Sequence, residues 1–127
     1  QMGYSLRQLL AALPETASQP LPAALQDGEL AFLLAYGWAG CRLGLDEATV
    51  VQAYLWGWLE NQVMVLMKAL PMGQTAGQQL MSALLPALAA ASEQALTLPD
   101  ARLSAFAPMQ SWMALRHETQ YSRLFRS

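Results

Sequence analysis

The sequence predicts an all-α fold, a compact helical bundle with a long central helix and an irregular C-terminal tail. Three observations carry that expectation. Apolar residues recur at three- and four-residue spacing along most of the 127 residues, which places them on one side of a helix. No stretch alternates apolar and polar residues as a half-buried strand would. Breaks rich in Pro and Gly cut the chain into pieces of helical length. At this length the chain is one domain or part of one.

Leu6, Leu9, Leu10 and Leu13 are in helical register, so residues 5–13 read as the end of a helix that Pro14 stops. The chain opens on Gln1 rather than Met, and a fragment is expected more than a native start. Residues 14–22 hold Pro14, Pro20 and Pro22 and read as a linker. A second helix is expected from near Asp27, whose carboxylate can cap free backbone N–H groups, through Leu30, Leu33, Leu34, Trp38 and Cys41. Gly44 suits the left-handed position just past its end.

Asp46 is the next N-cap, and Glu47 favours the positive end of the helix it opens. That helix is expected over residues 46–70. Val50, Tyr54, Trp58, Gln62 and Val65 mark one stripe, and Val51, Leu55, Leu59, Val63, Leu66 and Leu70 mark its neighbour. Two adjacent stripes exceed a single apolar face, so this helix is expected to be central and covered on most sides. Pro71 and Gly73 break it. Residues 74–96 form a fourth helix, in which Pro86 predicts a kink or a division into two. A turn at 97–100, a short helix around 102–105 and a last helix from Pro108 to about Glu118 follow, with an irregular tail from Thr119.

Composition narrows the function. The chain is 54% hydrophobic and only 13% charged, against about 25% charged in ordinary globular chains. Sparse charge implies that more of the surface is covered, by a second copy, a partner or a membrane. A membrane span is not expected. The longest charge-free stretch, 69–92, contains Pro71, Gly73, Gln74, Gly77 and Pro86, so it never offers the roughly 20 predominantly apolar residues a span needs. No signal peptide is visible. The single Cys excludes an internal disulfide and fits a reducing compartment, hence the cytoplasm. A net charge of −2 argues against nucleic acid.

The side chains offer little catalysis. His117 is the only His, beside Arg116 and Glu118, and these do not make the three- or four-ligand set of a transition metal. Cys41, among Ala, Gly and Trp, reads as a buried apolar thiol with no His or Asn/Asp near it in sequence to activate it. Gly37, Gly40 and Gly44 do not match a phosphate loop and read as close helix packing and a cap. Tyr36, Trp38, Tyr54, Trp56 and Trp58 read as core or interface rather than a ligand pocket. Lys68, the only Lys, sits where it complements the helix dipole and can snorkel to water. It can equally meet an acidic partner.

The C-terminus differs from everything before it. Residues 1–115 carry a net −4 and residues 116–127 a net +2. Tyr121, Leu124 and Phe125 supply apolar anchors, and Arg123 and Arg126 can make bidentate bonds to carboxylates. These are the residue types that dominate binding energy at interfaces. Folding of the tail onto its own domain is the alternative, and both can hold.

The ending His117-Glu-Thr-Gln-Tyr-Ser-Arg-Leu-Phe-Arg-Ser127 resembles the C-terminal signature of the UreF family of urease accessory proteins. Met2-Gly-Tyr-Ser-Leu6, Ala35-Tyr-Gly-Trp-Ala-Gly40 and the stretch from Glu60 through Lys68 to Gln74 are similar to other parts of that family. The resemblance spans essentially the whole chain, and the tail is its specific part. It implies an all-α protein without catalysis, residues 1–127 being the C-terminal part of a single domain. It implies partners: a UreD-type protein (also called UreH), a UreG-type GTPase, the urease apoenzyme and a second copy in a homodimer. Their assembly would support GTP-dependent nickel insertion into urease. The tail, with Arg116, His117, Glu118, Tyr121, Arg123, Leu124, Phe125 and Arg126, would order against the UreD-type partner, and Lys68 matches a basic position connected with the GTPase partner. No cofactor is implied as bound directly, since the complex handles the nickel. The family's N-terminal Pro-x-Gly-x-Tyr/Phe-Ser motif is absent, so part of the core and of the GTPase-facing surface is expected to be missing. Beside this stand two other readings, a generic helical homo-oligomerisation module and an enzyme with a Trp/Tyr-lined pocket.

Overall fold

Short polar signals decide where the helices stop and start. The computed structural model describes residues 2–13, 22, 32–104 and 106–121. These contain five α-helices and no strand: α1 (Met2–Ala12), α2 (Phe32–Arg42), α3 (Glu47–Ala69), α4 (Gln74–Thr97) and α5 (Pro108–Glu118). A 3-10 turn spans Asp100–Arg102. The all-α expectation therefore stands.

The α2–α3 junction shows the signals at work. Gly44 takes φ +68, the left-handed conformation expected of it. The Leu45 N–H donates to the Gly40 carbonyl (3.0 Å) and the Gly44 N–H to that of Cys41 (3.2 Å). This is the paired closure of a Schellman end, which satisfies carbonyls the helix leaves open. Two residues on, Asp46 accepts a 2.7 Å hydrogen bond from the Thr49 N–H and caps α3. That bond holds the Asp46 carboxyl below its ordinary pKa, because it favours the charged form. At the other end the Leu70 N–H donates to Leu66 and Pro71 follows. The 23-residue helix thus begins and ends where the sequence predicts.

Packing runs in series. α1 lies on α2, α2 on α3, and α3 along α4 in the most extensive contact of the fold. Small residues bring the axes together. Ala35, Ala39 and Gly40 are buried on α2, and Gly77 and Ser92 on α4. A methyl group at Gly40 would overlap the Val50 side chain, and one at Gly77 would lie 2.5 Å from Sδ of Met67. Larger buried side chains are Leu10, Val63 and Met81. The aromatic residues divide. Tyr36 and Tyr54 pack edge to face at 5.5 Å, with Phe32 at 5.8 and 6.5 Å from them, joining α2 to α3. Trp56 and Trp58 are exposed.

Several expectations are corrected. Cys41 is exposed, because it lies one helical step round from the buried Ala35–Ala39–Gly40 side of α2. α3 is not covered on most sides. Among its residues only Val63 is fully buried, and Met64, Val65 and Leu66 are exposed, since α2 and α4 cover only part of its circumference. α4 runs through Pro86 undivided. Pro86 is exposed, with Met81 buried before it and Leu84 and Leu88 half-buried on either side. The short helix expected around 102–105 is replaced by the 3-10 turn two residues earlier. The start of the second helix near Asp27 and most of the 14–22 linker lie outside the described residues.

A candidate partner-docking site

Beyond Leu98 the described chain runs along the surface. Each described residue from Pro99 to Tyr121 is exposed. Pro108 opens α5 at the position where a missing N–H costs nothing, and Ser111 donates to the Ala107 carbonyl at 3.0 Å. The helix closes on Thr119, whose hydroxyl donates to the Arg116 carbonyl at 3.3 Å. Phe106 is 86% exposed and Tyr121 wholly so.

The sequence-predicted residues fall into three sets. Arg116, His117 and Glu118 form the last turn of α5, and Tyr121 stands just beyond it. The Arg116 guanidinium lies 5.6 Å from the Trp112 ring centroid, a stacking that keeps it extended over an aromatic face. His117 Nδ1 is 2.6 Å from Oε1 of Gln120, a bond that pins the imidazole at the helix end. With the amide oxygen as acceptor, Nδ1 carries the proton. Lys68 is exposed in the last turn of α3, on a different element. Arg123, Leu124, Phe125 and Arg126 lie outside the described residues.

Two features were not singled out from the sequence. Met109, Trp112 and Met113 share one side of α5 at i, i+3 and i+4, and each is more than half exposed. That spacing was legible, but no rule for sequence says whether a helical stripe is buried. The other is a shallow apolar groove of about 220 Å³ between α3 and α4, walled by Leu55, Trp58, Leu59, Leu84 and Leu88. Among the described residues no cluster of three or more His, Cys, Asp or Glu could hold a metal ion. No helix among them is long and apolar enough to cross a membrane.

Comparison with known proteins places the chain in a family. A family profile for UreF matches residues 1–85. The chain belongs to the UreF family. Proteins named urease accessory protein UreF are similar over all of it: 48% identical in Ectopseudomonas mendocina, 47% in Nitrosococcus oceani and 45% in Pseudomonas fluorescens. The chain spans 57% of the length of each of these relatives. No solved structure matches it. The relatives are named as accessory proteins, and the family assignment lends the Trp/Tyr-lined catalytic pocket no support.

Proposed function

We propose that the chain is a binding scaffold for urease maturation. It would hold a UreD/UreH-type accessory protein and a UreG-type GTPase together and support GTP-dependent delivery of nickel to the urease apoenzyme. Nickel is cargo in this reading, handled by the assembly, and the chain itself holds no cofactor. The observation that carries it is the exposure of every described residue from Pro99 to Tyr121, a segment that ends in Arg116, His117, Glu118 and Tyr121. A charged, aromatic, exposed segment has the composition of an interface hot spot.

The UreD-type partner would take this segment together with Arg123, Leu124, Phe125 and Arg126. Lys68, exposed on the end of α3, would meet the GTPase through an acidic contact. A homodimer would account for the sparse charge and for exposed apolar side chains on α3. The working compartment would be the cytoplasm.

Co-purification of the full-length parent with its UreD-type partner tests the reading. Deleting residues 117–127 is expected to abolish the complex while circular dichroism shows helicity kept. Unchanged binding would move the interface to the helical body. Lys68→Ala is expected to spare that complex and weaken recruitment of the GTPase. Equal loss of both partners would remove Lys68 from its assigned role.

A further inference from the structure

The groove between α3 and α4 and the apolar side of α5 match one another. The groove is lined by leucines, alanines and Trp58, with almost no polar surface. It has room for a large side chain inserted from a helix lying across it. α5 offers Met109, Trp112 and Met113 at i, i+3 and i+4, the anchor spacing by which a helix docks in an apolar groove. Both are open to solvent in this structure.

The link between them is long enough. Residues 98–107 join α4 to α5, and three of them form the 3-10 turn. At about 2.0 Å per residue in the turn and up to about 3.3 Å elsewhere, this tether reaches roughly 29 Å. From Thr97 back to Leu84, at the far end of the groove, is about 20 Å along the helix axis at 1.5 Å per residue. So short a tether holds α5 at an effective concentration in the millimolar range, well above that of a second copy at working concentrations.

We propose that α5 is a strap that closes on its own body, laying Met109, Trp112 and Met113 into the α3–α4 groove with Trp112 as the inserted side chain. The open arrangement is then one of two states. Closure withdraws the apolar side of α5, and with it the base of the charged segment at Arg116 and His117, from any outside partner. The strap rests on the chain's own surfaces and not on the identity of a partner.

Cross-linking in the full-length parent tests it. With Cys41→Ser and any other cysteine replaced, Ala87→Cys places a thiol in the groove and Gln110→Cys one on the flank of α5. A short bifunctional maleimide is expected to join them within one chain, seen as a monomer-sized product and confirmed by peptide mapping. Trp112→Ala combined with Met113→Ala should cut that product about tenfold, since each buried apolar side chain adds to closure. Leu88→Asp should do the same from the groove side. Either no product, or a yield that these changes leave untouched, would overturn the strap. A product found only between chains, and fading on dilution, would give the groove to a second copy's α5 instead. Partner co-purification is measured separately, so a failed strap and a failed scaffold are told apart.

Discussion

The helical body and the C-terminal arm use similar residues to opposite ends. Both hold Met, Trp and Leu at helical spacing. In α2, α3 and α4 large side chains meet small residues on a neighbouring helix, as Val50 meets Gly40 and Met67 meets Gly77. From Pro99 onward none of them is buried among the described residues. The difference teaches that the small residues, more than the large ones, build this core. Gly40 and Gly77 admit Val50 and Met67, and the arm has no glycine to offer.

If that contrast is right, substitutions should separate cleanly by region. Met81→Ala is expected to have the largest effect, a loss of about 2 kcal/mol or more in denaturant unfolding, because it opens a cavity at a side chain only 5% exposed. Gly40→Ala should cost about 1–2 kcal/mol by forcing α2 away from Val50. A neutral Gly40→Ala would break the claim that close approach of helices matters here. Asp46→Ala sharpens the picture at the level of one helix end. The folded pKa of Asp46 is depressed, so its contribution is present above the unfolded carboxyl value and lost as pH falls through the folded one. The variant should melt lower at neutral pH, with the gap closing in acid. Phe106→Ala, in the arm, should change stability by less than about 0.5 kcal/mol. A loss there as large as at Met81 would mean that the arm is part of the body after all.

What could be read from the sequence follows the same division. Asp46, Gly44, Pro71 and Pro108 act on the backbone within four residues of themselves, so the α2–α3 junction, the extent of α3 and the start of α5 were all legible. The charged turn Arg116–Glu118 was legible as the end of the last helix, and it is exposed there. Cover was not legible. Cys41 and Trp58 look like core residues in sequence, and their exposure is decided by which side of each helix a neighbour takes. Of the two outcomes expected at Pro86, a kink or a division, the division does not occur: one helix runs from Gln74 to Thr97. The groove escaped entirely, since its walls come from residues about thirty positions apart and no local rule joins them.

The four residues between α3 and α4 also bear on the order in which the chain acquires structure. Contacts such as Met67 with Gly77 close over a short stretch, and short closures form fast. α2 emerges from the ribosome before the helix it packs on, and can dock only once α3 has been made. Residues 47–97 should therefore be the first to protect their amides in pulsed hydrogen exchange, with 32–42 following. Newly made chains would carry α2's Phe32 and Tyr36 uncovered until then, a brief window in which a chaperone has something to hold.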